Sequence, residues 1–210
     1  MRKPHSDSAE TARLLDLAAA GDETAFDRLF ERYRPIIWQT VDRRLGPRVR
    51  ARVDPSDVVQ ETHIDVYQRL GEFLRRRPMP FRLWVLKTAH ERLLKIERYH
   101  LGTAKRSIYR EVPLPDSSSL ELAGRFATSG YLPSSRMRRE ELARQMRLIL
   151  GRLSRQDREI ILLRNFDSLS NQEAACLLEL SPEAAKKRYT RALLRLQQLI
   201  SQSGLRGSEP

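Results

Sequence analysis

A chain of 210 residues with 40% apolar content fits one or two domains with packed cores, and so excludes a disordered polymer. Its formal charge of +12, from 39 Lys+Arg against 27 Asp+Glu, favours a polyanionic partner such as DNA, RNA or an anionic membrane surface. No apolar run approaches the ~20 residues of a membrane span, and MRKPHSDSAETAR leads into no continuous apolar stretch, so neither membrane insertion nor a signal peptide is expected.

Period-2 alternation is nearly absent, and helical spacing recurs along the chain. Residues 1–10 read as a frayed tail. Thr11–Ala20 is a short helix stopped by Gly21, and Asp22 caps a second helix carrying Phe26, Leu29, Phe30, Tyr33, Ile37, Trp38 and Val41. Pro35 should bend or divide that helix, because proline lacks the amide proton the ladder needs. Gly46-Pro47 marks a break amid Arg43, Arg44, Arg48, Arg50 and Arg52, a cluster that suits nonspecific phosphate contact or plain solvation.

The next helix opens with Asp54 as cap and Pro55 at its first position. At 100° per residue Val58, Val59, Thr62, His63, Val66, Tyr67 and Leu70 share one half. Asp57, Gln60, Glu61, Asp65 and Gln68 share the other, with the apolar Ile64 among them. Capping and the helix dipole account for Asp54 and Asp57, but not for Glu61, Asp65 or Ile64. An acidic face repels DNA, and an apolar anchor ringed by polar groups suits a basic protein surface, although a solvated face has the same pattern. Arg75-Arg76-Arg77-Pro78-Met79-Pro80 then reads as a basic, proline-stiffened loop before a helix from Phe81 to about Tyr99. Trp84 reads as a core residue, and Phe81 fits either inward packing or an exposed aromatic face.

Residues 103–135, with VPLPDSSSLELAGRFATSGYLPSS, read as a linker interrupted by a short helix around Leu120–Phe126. Helical periodicity resumes from Arg136 to Ser201, and residues 203–210 read as a loose tail. The expected fold is all-α: two small helical domains, 11–102 and 136–202, joined by a flexible tether.

LSNQEAACLLELSPEAAKKRYTRALLRLQQLI is the clearest mechanical signal. Ser170 caps a helix with Ala174, Ala175, Leu177 and Leu178, a tight turn follows at Glu179-Leu180, and Ser181-Pro182 is a strong helix start. Ala185, Leu193, Leu196, Leu199 and Ile200 then face a core, while Lys186, Lys187, Thr190 and Arg191 lie on the surface near the start. Two helices about a short turn, the second basic at its beginning, describe a helix-turn-helix suited to the major groove. An ordinary helical hairpin with a solvated basic face is the alternative. The single cysteine, Cys176, rules out an internal disulfide, fits a reducing cytoplasm, and reads as a small buried thiol. His5, His63, His90 and His100 have neither paired spacing nor nearby cysteines, so no metal site is expected.

LSRQDREIILLRNFDSLSNQEAACLLELSPEAAKKRYTRALLRL resembles region 4 of bacterial sigma factors, closest to the extracytoplasmic-function (ECF) group of the sigma-70 family. The resemblance implies that this region reads the −35 promoter element: Ser181 and Pro182 open the recognition helix, Lys186, Lys187 and Thr190 face bases, and Arg188 and Arg191 hold phosphates. Glu179 stands where the family usually has glycine, and a left-handed backbone there costs roughly 1–2 kcal/mol. FRLWVLKTAHERLL, from Phe81, resembles the region 2 helix that recognises the −10 element. There Arg75, Arg76, Arg77 and Phe81 would form the loop that captures an unpaired base, with Lys87, His90, Arg92, Lys95 and Arg98 extending the cationic surface. His90 reads as a neutral polar contact, not a catalytic base.

In the family the acidic helix is region 2.2, which docks on the β′ clamp helices of RNA polymerase. Asp57, Gln60 and Glu61 match its D-x-x-Q-E core, Ile64 takes its apolar position, and Asp65 follows. The resemblance thus implies core polymerase (β′ clamp helices and β flap) and promoter DNA as partners, with an anti-sigma protein as a further one. It implies no catalytic residues, cofactor or membrane contact, and a cytoplasmic place of action. A stand-alone helix-turn-helix regulator is the alternative function, but it leaves the acidic helix and the Arg-Pro loop without a role. A nucleic-acid-processing enzyme would need a second carboxylate cluster or a nucleophile–base pair, and neither is evident.

Overall fold

A computed structural model describes residues 7–45, 47–101, 114–126 and 136–203. The chain divides into two units, Met1–Thr103 and Ala104–Pro210, and the described residues are helical with no strand. Residues 1–6 of the expected tail 1–10, residues 204–210 of the expected tail 203–210, and most of the expected linker 103–135 lie outside the described residues.

In the first unit, α1 (Ala9–Ala19) starts on a Ser8 cap whose Oγ accepts the Thr11 N–H at 3.2 Å. It is followed by Gly21 at φ +95°, a left-handed conformation that glycine adopts without a Cβ penalty. Asp22 caps α2 (Glu23–Asp42) by accepting from the Thr24 and Ala25 amides. Helix α2 runs through Pro35 without being divided. The proline leaves the Glu31 carbonyl without its usual donor, but both Glu31 and Pro35 are exposed, where water can replace it.

A short turn of helix, α3 (Pro47–Arg50), leads to α4 (Pro55–Arg76), capped by Asp54 through the Ser56 amide at 2.7 Å. Helix α4 outlasts the expected segment and absorbs Arg75 and Arg76 into its last turn, where cations complement the helix dipole. Arg77 ends it in the left-handed region at φ +37°. Only Arg77 to Pro80 remain as connection before α5 (Phe81–Leu101). Leu14 and Leu15 of α1, Phe26, Leu29 and Ile37 of α2, Val58, Val66 and Phe73 of α4, and Phe81, Trp84 and Leu93 of α5 form one core. Trp38, on the same helix as Ile37, is 43% exposed.

Two arginines of the 43–52 cluster, Arg44 and Arg50, are engaged within the fold. Buried Arg44 donates to the Thr40 carbonyl at 3.0 Å, and Arg50 donates to the Leu45 carbonyl and pairs with Asp42. These guanidiniums satisfy carbonyls at and just beyond the end of α2, which would otherwise lack donors.

In the second unit, α6 (Asp116–Phe126) packs on α7 (Arg136–Gly151), and α8 (Arg155–Asn165), α9 (Asn171–Leu177) and α10 (Pro182–Gln202) complete the bundle. Leu114, Leu122 and Ala123 are buried in the same core as Met146, Leu150, Ile160 and Leu196. This part of the expected tether therefore belongs to the second unit's core. Its apolar residues at 114, 122 and 123 outweigh the serine-rich composition that reads as linker.

Candidate functional site

The helix-turn-helix is built by local chemistry. Ser170 and Glu173 form a reciprocal capping box: the Glu173 N–H donates to Ser170 Oγ at 3.2 Å, and the Ser170 N–H donates to the Glu173 carboxylate at 2.6 Å. Glu179, which stands where the family usually has glycine, takes a left-handed φ of +55°, and the Leu180 N–H closes the turn on the Ala175 carbonyl at 2.9 Å. Ser181 then caps α10 through the Ala184 amide at 3.1 Å. Ala175 and Ala185 are both fully buried, so small side chains let α9 and α10 approach closely.

Ser181, Pro182, Lys186, Lys187, Thr190 and Arg191 are exposed on α10, and Arg188 is half-buried. The Lys187 ammonium rests 2.7 Å from Glu183 in an exposed pair that solvent largely screens and a phosphate can replace. The start of α10 is also held from outside its own helix. Asn171 donates to the Pro182 carbonyl at 2.7 Å, Tyr189 hydrogen-bonds Asn165, and the Arg164 guanidinium lies 5.2 Å from the Tyr189 ring centroid. Sequence reasoning missed Arg164, Asn165 and Tyr189, whose partners lie a helix and a turn away. Cys176, expected to be buried, is exposed. In a helix of seven residues the inward positions go to Ala174, Ala175 and Leu177, which leaves position 176 on the outer side.

In the first unit the acidic helix divides as projected. Asp57, Gln60, Glu61 and Ile64 are exposed, Ile64 by 53%, while Val58, Val59, Thr62 and Val66 are buried. Tyr67, placed on the inner half by projection, is 53% exposed at the boundary. Asp65 differs from its neighbours: its side chain is 29% exposed and takes a 2.9 Å hydrogen bond from Arg92 Nε. Arg92 also lies 3.3 Å from Glu61.

That pairing corrects the reading of Arg92 as a DNA contact. Its side chain is 17% exposed and turned onto the acidic face of α4, so it ties the two helices together. Phe81 is likewise corrected: with 0% exposure it packs between Tyr33, Phe73 and Trp84, at ring-centroid distances of 5.5–5.7 Å. It is a wall of the core, out of reach of a base. Trp84 is 6% exposed and core-packed as expected, stacked on Phe73 at 4.4 Å.

Trp84 nonetheless forms part of a cavity of about 220 Å³, lined also by Arg69, Arg76, Pro78, Met79 and Lys87. Its lining sets Trp84, only slightly exposed and with the Arg69 guanidinium 6.0 Å from its ring centroid, beside further cations and the carboxylates of Glu72 and Glu91. The cations are held by exposed carboxylates: Arg76 lies 3.0 Å from Glu72, Arg69 lies 3.1 Å from Glu91, and Lys87 lies 4.0 Å from Glu91. Arg75 lines a different hollow, with Phe26 and Tyr67, and Arg77 lies 2.7 Å from Asp16. Lys95 and Arg98 are exposed further along α5, and His90 is half-buried. Among the described residues no group of three or more His, Cys, Asp or Glu could hold a metal ion, and no helix is long and apolar enough to cross a membrane.

Comparison with known proteins matches residues 143–196 to the family model "Sigma-70, region 4". The chain is 32% identical over 184 residues to the RNA polymerase sigma factor CnrH of Cupriavidus metallidurans, covering 87% of this chain and 90% of that protein. It is also 32% identical over 206 residues to the sigma factor NccH of Alcaligenes xylosoxydans xylosoxydans, covering 97% and 99%. With the ECF RNA polymerase sigma-E factor of Escherichia coli it shares 28% identity over 186 residues, covering 85% and 88%. Among solved structures, that of CnrH in complex with the cytosolic domain of CnrY superposes with a TM-score of 0.61 at 26% identity, covering 93% of this chain and 99% of that one. These matches take in both units, which disfavours a stand-alone helix-turn-helix regulator. The chain belongs to the ECF group of the sigma-70 family of RNA polymerase sigma factors, which direct core polymerase to specific promoters and assist the initiation of transcription.

Proposed function

We propose that the first unit docks on core polymerase through the α4 face of Asp57, Gln60, Glu61 and Ile64, with Asp65 supporting that face through Arg92. The observation that carries this reading is an exposed apolar residue ringed by exposed acidic and amide groups on an otherwise basic chain. Its partner in the polymerase is the β′ clamp helices, and the second unit meets the β flap. The chemistry of RNA synthesis belongs to the polymerase, in the cytoplasm, and this chain supplies address and strand capture.

In the same reading the cavity beside Trp84 receives an unpaired base of the −10 element. Arg76, Lys87 and Lys95 track the backbone, with Arg75 and His90 at the margin and Arg77 held by Asp16 at the end of α4. Lys186, Lys187 and Thr190 address base edges of the −35 element, while Arg188 and Arg191 hold phosphates beside the start of α10 at Ser181 and Pro182. The resemblance also implies sequestration by an anti-sigma protein. The solved relative CnrH, held in complex with the cytosolic domain of CnrY, supports a protein partner of that kind.

The deciding experiment measures affinity for purified core polymerase. Asp57→Lys combined with Glu61→Lys abolishes binding while the helical circular dichroism stays intact; unchanged affinity sinks the docking assignment. For the second unit, Lys186→Ala lowers discrimination between promoter and random DNA by about 1–3 kcal/mol. A uniform loss on all sequences instead makes Lys186 a phosphate contact.

A further inference from the structure

The segment before α1 reads as a frayed tail in the sequence, yet Asp7 meets the far end of the Arg77–Pro80 connection. Its carboxylate accepts the Phe81 N–H at 2.9 and 3.1 Å, a contact across 74 positions of the chain. Helix α5 cannot cap itself: the residue before Phe81 is Pro80, which has no side-chain acceptor. An ionised carboxylate at that point satisfies an orphan amide and complements the positive end of the helix dipole.

At the other end of the connection Asp16 of α1 receives the Arg77 guanidinium at 2.7 Å. Arg77 is the residue that ends α4 in a left-handed conformation, at φ +37°. The platform carrying both carboxylates is fixed: Leu14 and Leu15 are buried in the core, and Thr11 Oγ1 hydrogen-bonds the Tyr33 hydroxyl at 2.8 Å. Helix α1 and the residue before its cap therefore hold the connection at both ends, while the middle of the connection, Pro78 and Met79, forms one wall of the cavity beside Trp84.

We infer that Asp7 and Asp16 are positioning residues, setting the geometry of the wall that captures an unpaired base. The inference rests on the proposed role of that cavity. Neither carboxylate touches DNA; each acts through the residue it holds, and a negative charge near a strand would otherwise be a defect.

The test uses the full chain assembled with core polymerase. A randomised single-stranded DNA pool is selected on the wild-type assembly, and the winning strand serves as the probe. Asp7→Ala removes the acceptor for the Phe81 amide and weakens probe affinity by up to about fivefold, the fold-change to which a cap's contribution to helix stability corresponds when all of it is coupled to binding. Asp16→Ala weakens it about two- to fivefold, as expected for an exposed ion pair. Affinity for core polymerase is unchanged in both, and Asp7→Asn, which keeps an acceptor for the Phe81 amide, restores probe binding.

Arg76→Ala combined with Lys87→Ala separates the two claims. If this pair weakens probe binding and Asp7→Ala does not, the cavity keeps its role and the positioning inference falls. If the pair has no effect, the reading of the cavity itself fails, and the inference with it. A parallel loss of core and probe binding in Asp7→Ala, unrescued by Asp7→Asn, makes Asp7 a general stabiliser and also overturns the inference.

Discussion

Replacing Glu179 with glycine should stabilise the second unit, against the usual direction for a substitution to glycine. Glu179 holds φ +55° in the turn between α9 and α10, its side chain is exposed, and its backbone amide hydrogen-bonds the Cys176 carbonyl at 3.4 Å. A side chain in the left-handed region costs about 1–2 kcal/mol, which glycine does not suffer. Against that gain stands the greater backbone entropy of glycine in the unfolded chain, about 0.5–1 kcal/mol. The balance is a net stabilisation of about 0.5–1 kcal/mol, or a rise of about 3–6 °C in the transition of a unit of this size. Differential scanning calorimetry of the full chain separates the two units' transitions if they melt apart, and Glu179→Ala, which keeps the strain, serves as the control and leaves Tm nearly unchanged. A fall in Tm for Glu179→Gly, or an equal rise for Glu179→Ala, would refute the argument from backbone strain.

Phe81→Ala should destabilise the first unit by about 3–5 kcal/mol, because a fully buried ring leaves a cavity; a change below about 1 kcal/mol in urea unfolding would mean the ring is not a core wall. Arg92→Gln should cost about 1 kcal/mol of stability through loss of its pairs with Glu61 and Asp65, and leave the affinity for single-stranded DNA unchanged. A selective loss of DNA affinity would return Arg92 to the DNA face. The helix caps Asp22 and Asp54 carry carboxyls held below the usual 3.8, Asp22 by the Thr24 hydroxyl first and Asp54 by the Ser56 amide first. Their stabilisation is therefore complete above pH 3.8 and is lost as the pH falls through their lower folded values. Melting curves across that window should show a shallower acid decline for Asp22→Asn with Asp54→Asn, since asparagine still accepts the capping bonds but does not titrate there; an identical decline refutes the assignment.

What the sequence determined alone was local in origin. Caps at Asp22, Asp54, Ser170 and Ser181 need only an acceptor beside free amides, and each forms as read. The turn at Glu179-Leu180 was legible from the capped helix starts on either side, whereas its left-handed backbone was indicated only by the family's usual glycine there and is seen in the structure at φ +55°. Periodicity likewise separated the buried valines of α4 from its acidic face. Tertiary structure decided what long side chains meet. Helical projection gives a residue's phase on its own helix, but not the rotation of the neighbouring helix or the charges it presents. Arg92 sits on the same helix as the exposed cations Lys95 and Arg98, yet its guanidinium reaches the carboxylates of α4. Phe81 begins its helix at a point where three aromatic neighbours close around it, which no local pattern encodes. Asp7 caps a helix 74 positions away, because folding, not sequence proximity, brings its carboxylate to the first amide of α5.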